Sequence, residues 1–467
     1  MQHGPRALMQ QCSSIDNIQL IQNTMTRFPT SFCLRLIVTL LILFPGTSVA
    51  TNLMQAFDMA KDSDPQYRQV AANKRAVEES RPQAISQLLP SINLSANAYY
   101  NDQKTTVSGG NFPGGNFQFS THGYDLSLRQ PLFHWDRYLQ LQQADNSIMQ
   151  ADAQLELARQ QLMVRVATAY FNVLASEDNL AFARAEKRAL GRQLDQAKQR
   201  FDVGLTAITD VQEAQAGFDR AVAQEIAAEN EIDNNREALR EITGQYLDDL
   251  TKLSDKMPLV TPEPADIDAW TEIALQKNLG VIAAQQAVDL SREEVSIQKS
   301  NHYPTLDLVT QYGYNTTGGR FGDSTNRSGA IGVELNVPLF SGGYASSKTR
   351  EAQQRLQEQL ERLEQARREA HRSTRQSYLG VISGISQINA LKQAVISSET
   401  ALKATQAGFE VGTRTAVDVV ASERATYQAK RDYARARYNY LVDTLQLKLA
   451  SGTLSKDDLA QINVWLK

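Results

Sequence analysis

Apolar residues recur at every second position in four stretches of the chain. In the first, Ile92, Leu94 and Ala96 alternate with polar residues, as in a strand with one apolar and one polar face. Similar alternation occurs in three further stretches, at residues 124–128, 306–312 and 331–337. The pattern predicts four β-strands per chain, in two pairs whose connecting loops are rich in Gly, Asn and Thr.

Two other regions lack proline, and in the first of them apolar residues are spaced alternately by three and four. No proline occurs between Pro131 and Pro258 or after Pro338, so long helices can run there without interruption. A sustained seven-residue spacing of apolar positions requires a helix to supercoil against partner helices. At about 1.5 Å per residue, the span from Leu132 to Val203 predicts a helix on the order of 100 Å long.

The same order of predicted elements occurs twice along the chain. Gly204 and Gly412 stand 208 positions apart, as do Gly244 and Gly452. This offset predicts a tandem duplication. Each half is expected to contain a helix, two strands, a long helix, a tight turn and a second long helix. The predicted repeats are residues 51–258 and 259–467.

The first fifty residues have the pattern of a secretory signal. An apolar run at 36–44 follows basic residues and ends in a small-residue site at Ala50, which predicts cleavage before Thr51. The signal itself is expected to start at Met25, with 1–24 as an upstream extension. The alternative, an N-terminal anchor helix, is disfavoured because the apolar run is shorter than the roughly 20 residues that cross a bilayer.

Composition and charge exclude several classes of protein. The chain has 48 basic and 52 acidic residues without a long block of one sign, so no nucleic-acid partner is expected. Both cysteines, Cys12 and Cys33, precede the predicted cleavage site, and the mature chain would therefore have no thiol. After Ala50 there is no long apolar run, and the mean hydropathy is -0.40, which excludes a helical membrane bundle.

The sequence shows no catalytic motif. None of the five histidines is paired at metal-ligand spacing, and there is no glycine-rich phosphate loop or nucleophile elbow. We therefore predict that the protein is not an enzyme and has no cofactor or resident metal.

Four alternating strands cannot close a sheet. An open edge in hydrocarbon leaves backbone groups unpaired at a cost of several kcal/mol each. Three copies, which give twelve strands, are the smallest closed solution that leaves an aqueous channel. Aromatic residues in the strands would then form a membrane girdle, with cross-strand packing in a soluble sheet as the alternative. They are Tyr99, Tyr100, Phe117, Phe119, Tyr124, Tyr312 and Tyr314.

The segments 200–211 and 408–419, which contain Val203-Gly204 and Val411-Gly412, resemble the two hairpin tips of the TolC-type outer-membrane channel family. The resemblance covers nearly the whole mature chain. It implies an α+β, mainly α fold in which tandem long helical hairpins form a periplasmic α-barrel. Four strands per chain would complete a trimeric 12-stranded transmembrane β-barrel in the outer membrane of a Gram-negative bacterium. An equatorial region is expected near 245–278 and at the C-terminus.

The resemblance also implies a function and partners. A homotrimer would be the passive exit duct of a tripartite efflux pump or type I secretion system, opened by an inner-membrane pump of RND, ABC or MFS type through a periplasmic adaptor. Its strands would contact outer-membrane lipid. Two alternatives are a secreted coiled-coil scaffold or adhesin and a periplasmic adaptor. The adaptor would have one hairpin and an inner-membrane anchor.

The tips are the predicted functional site. We expect Arg414 to bond Asp210 and Thr209 on the neighbouring hairpin as a latch, and Asp418 to form a pore-facing ring of three carboxylates that could bind a blocking cation. The adaptor would contact the turns. The predicted contact residues are Val203, Gly204, Leu205, Thr206, Val411, Gly412 and Thr413. The alternative is that these are ordinary solvated charges and helix-ending glycines.

Two positions depart from the family pattern. Phe409 stands where the family type has a latch tyrosine, and Ala421 stands where it has a second pore aspartate. One hydroxyl contact and one acidic ring are therefore absent. The sequence predicts a looser latch and a weaker cation block than in the family type.

Overall fold

The structure is a computed structural model that describes residues 50–466 apart from 107, 110–113 and 320–321. The predicted signal peptide up to Val49, the predicted start and both cysteines lie outside the described residues. The helices are α1 (Leu53–Ser63), α2 (Pro65–Glu78), α3 (Ser80–Ser86), α4 (Trp135–Asp202), α5 (Ile208–Thr243), α6 (Ile267–Lys277), α7 (Leu279–Ser300), α8 (Tyr344–Glu410), α9 (Ala416–Ala450) and α10 (Lys456–Val464). The strands are β1 (Ser91–Thr105), β2 (Gly115–Phe133), β3 (Thr305–Thr317) and β4 (Ser324–Asn336).

Two long helical hairpins dominate the fold. Helix α4 has 68 residues and α8 has 67, so each is on the order of 100 Å long. Each is followed by a tight turn and an antiparallel partner, α5 or α9. The first long helix was predicted from Leu132 to Val203, and its observed ends lie within three residues of that prediction.

Short helices precede each strand pair, where the pattern had predicted one helix. The break between α1 and α2 falls at Asp64, whose carboxylate accepts a hydrogen bond from the Tyr67 amide at 2.7 Å, with Pro65 opening the next helix. The break between α6 and α7 falls at Asn278, whose side chain accepts from the amides of Gly280 and Val281. Side chains that cap a new helix therefore interrupt the apolar periodicity.

The four strands form one antiparallel sheet in the order β1-β2-β3-β4. Leu126 of β2 lies opposite Leu94 of β1 and Tyr312 of β3, so apolar side chains align on one face, as the alternation predicted. The strands, of 13 to 19 residues, are longer than the alternating stretches. Among the described residues of one chain, β1 and β4 each have a neighbouring strand on one side only. The sheet is thus open at both edges.

The largest hydrophobic core lies midway along the hairpins. Tyr170, Phe171, Tyr440 and Leu441 are almost completely buried there. The N-terminal helix and the C-terminal segment cover them. Residues from these covering segments are Leu53, Phe57, Leu454, Leu459 and Leu466. We call this region the equator.

None of the helices in the described part of the chain combines the length and the apolar composition needed to cross a bilayer.

Candidate periplasmic gate at the hairpin tips

The two hairpins end in turns of the same geometry. Gly204 and Gly412 both have positive φ, +74° and +79°, a conformation that costs other residues about 1–2 kcal/mol. The amide after each glycine bonds back to the helix: Leu205 donates to the Arg200 carbonyl and Thr413 to the Gly408 carbonyl, both at 2.8 Å. The glycines therefore end the helices in the left-handed conformation, as expected.

Apolar side chains of both turns are exposed. Val203, Leu205 and Val411 have 68%, 73% and 76% of their surface accessible, although such side chains are usually buried. Gly204, Gly412 and Thr413 beside them are also exposed, and Thr206 is partly exposed. All seven predicted contact residues thus lie at the surface of the two turns. A small apolar surface of this kind is suited to contact another protein.

The equivalent carboxylates of the two tips have different partners. In the first tip the Thr206 hydroxyl donates to Asp210. In the second, Asp418 accepts from the Thr415 amide and hydroxyl, each at 2.9 Å, while its own amide donates to the hydroxyl, which completes a capping box. Those hydrogen bonds, the backbone one first, lower the pKa of Asp418, and the nearby Arg414 charge adds to the effect. The sequence analysis missed this box, although Thr415 three residues before Asp418 is its signature.

The predicted latch residues lie on separate turns of one chain. Thr209 and Arg414 are exposed, and Asp210 is partly exposed. Within a single chain, no hydrogen bond or ion pair among the described residues joins Arg414 to Thr209 or Asp210. The latch was predicted between neighbouring hairpins and stays a prediction. Ala421 is exposed on α9 and brings no carboxylate.

Phe409 has a partner that the sequence analysis did not predict. The guanidinium carbon of Arg200 lies 4.6 Å from the centre of the Phe409 ring, within the range of a cation-π interaction. Arg200 lies in the last turn of α4 and Phe409 in the last turn of α8, so this contact joins the two hairpins near their tips. The residues are 209 positions apart, and no local pattern links them.

Further from the tips, α4 and α9 meet along a seam of largely buried contacts. Leu190 packs with Val420, and Arg431 then forms a buried ion pair with Glu186 at 2.8 Å. Next, the Tyr438 hydroxyl donates to Asp178 at 2.8 Å. Burial raises the pKa of Asp178 and that of the Tyr438 hydroxyl. We call this series of contacts, with the Arg200–Phe409 contact at its lower end, the hairpin seam.

The tips hold groups that can dock a partner or bind one another weakly. In the described part of the chain, no group of three or more His, Cys, Asp or Glu side chains is placed to hold a metal ion. His134 places its Nε2 3.1 Å from an Asp307 carboxylate oxygen where β2 leads into α4. The contacts at the tips favour a mechanical role.

Comparison with known proteins decides the family. The family described as outer membrane efflux protein matches residues 56–245 and 270–453, more than half of the chain. The chain belongs to the outer membrane efflux protein family. The resemblance drawn from the tip segments is therefore confirmed.

Relatives within the outer membrane efflux protein family cover nearly the whole chain. The outer membrane protein TolC of Vibrio cholerae is 40% identical over 90% of this chain and 94% of its own length. The alkaline protease secretion protein AprF of Pseudomonas aeruginosa is 29% identical over 90% and 88%. The crystal structure of the Vibrio cholerae outer membrane protein VceC has a TM-score of 0.72, with 20% identity over 86% and 96%.

These matches confirm the predicted class. The protein is an outer-membrane exit duct for efflux and type I secretion, and it is not an enzyme. The mainly helical fold with four antiparallel strands per chain is confirmed as well. The alternatives of a secreted scaffold and a periplasmic adaptor are set aside, because the relatives are outer membrane proteins.

Proposed function

We propose that three copies of the chain form one duct through the outer membrane. The observation that carries this proposal is the open four-stranded sheet. In the part of the chain that the structure describes, its edge strands β1 and β4 each lack a neighbour on one side. Pairing β4 of one copy with β1 of the next satisfies both edges and closes twelve strands. The apolar face would meet lipid, and the polar face would line the channel.

The apolar face has the height of a membrane band. From Tyr124 to Phe133 the nine steps of β2 span about 30 Å, or about 23 Å along the barrel axis at a tilt near 40°. Tyr124 stacks on Tyr314 at 5.3 Å at the far end of this band. Phe133 and Trp135 are exposed at the other end. Aromatic residues at both borders are typical of a membrane barrel.

The tips would be the regulated end of the duct. A latch of Arg414 with Asp210 and Thr209 of the neighbouring hairpin would keep the lower end closed, and three copies of Asp418 would hold a cation at the constriction. A periplasmic adaptor would dock on the exposed turns. An inner-membrane pump of RND, ABC or MFS type would then drive cargo through. The name of AprF, a protease secretion protein, supports proteins as one class of cargo.

A matched pair of substitutions tests the barrel. Ile331 lies on the apolar face of β4, and Ala330 lies beside it on the opposite face. Ile331→Lys places a charge against lipid at about 2–4 kcal/mol per copy, so membrane insertion should fail. Ala330→Lys should insert normally and change only the ion selectivity of the channel.

The measurements are outer-membrane yield, the mass of the detergent-purified particle and conductance in planar bilayers. The proposal is supported if the wild-type protein is a trimer that conducts ions and if Ile331→Lys, but not Ala330→Lys, abolishes this trimer. A monomer that is well folded without detergent, or equal tolerance of both substitutions, contradicts it. Deleting the gene and measuring drug susceptibility and secreted proteins would identify the class of cargo.

A further inference from the structure

A cleft separates the two hairpins near their tips. It has a volume of about 650 Å³, and its walls include Gln196, Val203, Gln406 and Val419. Gln193, which is 8% exposed, is one of its lining residues, and the buried side-chain nitrogen of Gln193 has no hydrogen-bond partner. The hairpins are therefore not tightly packed against each other at this level.

Arg200 and Phe409 bridge this cleft. Both residues line it, and the guanidinium lies over the ring face at 4.6 Å. Among the hydrogen bonds and ion pairs of the described residues, none involves the Arg200 guanidinium. The ring is thus the partner that the structure gives to this charge. The buried contact of Leu190 with Val420, which also joins the hairpins, lies ten residues further along α4, about 15 Å away.

The Arg200–Phe409 contact is linked to the two turns by backbone hydrogen bonds. The Arg200 carbonyl accepts from the Leu205 amide at 2.8 Å, and the Phe409 carbonyl accepts from the Gly412 amide at 3.2 Å. Each partner thus belongs to the backbone hydrogen bonds that shape its own turn. A protein that binds either turn and moves it would also shift the charge relative to the ring.

We propose that the Arg200–Phe409 cation-π contact is the latch between the two hairpins of one chain, in place of the family tyrosine. The inference rests on the proposed function and deepens it. Because Phe409 lacks the hydroxyl of the family tyrosine, the sequence predicted a looser latch. In the structure, Arg200 provides Phe409 with a different partner. Because each cation-π contact at an exposed site changes an equilibrium about two- to fivefold, the latch holds the tip closed and still yields to a docking protein.

Fluorinated phenylalanines test the latch with little change in shape. One, two or three fluorine atoms on the Phe409 ring withdraw charge from its face step by step. Purified wild-type and substituted channels would be compared in planar bilayers. We expect open-state occupancy to rise with each fluorine and to reach about two- to fivefold per contact, with Arg200→Gln giving the same end point. Arg200→Lys, which keeps the positive charge, should fall between Arg200→Gln and wild type.

Phe201 is the matched control, because it adjoins Arg200 and is 40% exposed. The same fluorinated series at Phe201 should leave the occupancy unchanged. If the channels conduct but the open-state occupancy does not change across the Phe409 series, the proposed latch is wrong and the proposed duct is unaffected. Equal effects at Phe409 and Phe201 would have the same meaning. A wild-type protein that never conducts would instead overturn the proposed duct. Particle mass and melting temperature would confirm that each variant is folded.

Discussion

The same two hairpins meet at the equator and at the tips, but the contacts differ in kind. At the equator Phe171 stacks on Tyr438 at 5.9 Å within a buried core. At the tips Phe409 is partly exposed and meets a charge across a cleft. One end of the hairpin seam is closed by apolar burial and the other by a single weak contact.

The difference predicts where the proposed duct would open. Each large apolar side chain buried at the equator stabilises the fold by about 1.5–3 kcal/mol, and many contribute together. A cation-π contact with access to water contributes about 0.5–1 kcal/mol. Separating the hairpins from the tips upwards therefore meets the weakest contacts first. We therefore expect the proposed duct to open at the tips while the equator stays fixed.

The largest contrast should come from removing one aromatic ring at either end. Phe171→Ala leaves a cavity in a buried core and should lower the free energy of unfolding by about 3–5 kcal/mol. Phe409→Ala should lower it by at most about 1–2 kcal/mol while increasing channel opening. Guanidinium denaturation of the purified particles measures both. Equal losses of stability would contradict the proposed difference between the two ends.

The ion pair midway along the seam should give the next effect. Arg431→Ala leaves the Glu186 carboxylate, whose side chain is 4% exposed, buried without its partner. We expect a loss of about 3–5 kcal/mol in the free energy of unfolding. The double variant Glu186→Leu with Arg431→Met should recover most of this loss, because apolar groups fill the site without a buried charge. If the double variant does not recover stability, the Glu186–Arg431 ion pair stabilises the fold by more than the mutual neutralisation of two buried charges.

A glycine substitution tests the turn geometry separately from packing. A Cβ atom at Gly412 or at Gly332 meets nothing within 4 Å, but only Gly412 has positive φ. Gly412→Ala should therefore cost about 1–2 kcal/mol and weaken adaptor binding, whereas Gly332→Ala should do neither. The melting temperature and a pull-down with the adaptor would measure this. If the two variants behave alike, the left-handed conformation at Gly412 contributes neither to stability nor to adaptor binding.

The smallest expected effect is the pH dependence at Asp418. Its pKa lies below the ordinary value of 3.8 because Thr415 donates to the charged carboxylate. A carboxyl with a depressed pKa contributes stability above its unfolded pKa and loses it as pH falls through the folded pKa. A divalent-cation block at the Asp418 ring should thus persist at pH 3.8, the ordinary pKa of the side chain, and be lost only at lower pH.

In Thr415→Val the block should be lost at a slightly higher pH than in wild type. The backbone amide, which is the larger cause of the shift, remains in that variant, so the change is small. Single-channel recordings over this pH range provide the measurement. A block that is already lost above pH 3.8 would contradict the assignment of Asp418.

Local patterns in the sequence predicted much of this fold. Apolar spacing gave the long helices and the four strands, and the paired glycines marked the two turns. The capping box at Thr415 was also readable but was overlooked. The Arg200–Phe409 and Asp178–Tyr438 contacts were not predictable from local patterns, because folding brings together positions more than 200 residues apart. Breaks such as that at Asp64 depend on a capping side chain that competes with continuous helix.

Hydrogen exchange along the two hairpins tests most directly whether the hairpin seam is weakest at the tips. In the purified channel, amides of residues 196–214 and 404–422 at the tips should exchange much faster than those of 166–176 and 436–447 at the equator, because local opening is easiest where buried contacts are fewest. Residues near Glu186 and Arg431 should be intermediate. Equal protection from tip to equator, or faster exchange at the equator, would contradict a duct that opens at its tips.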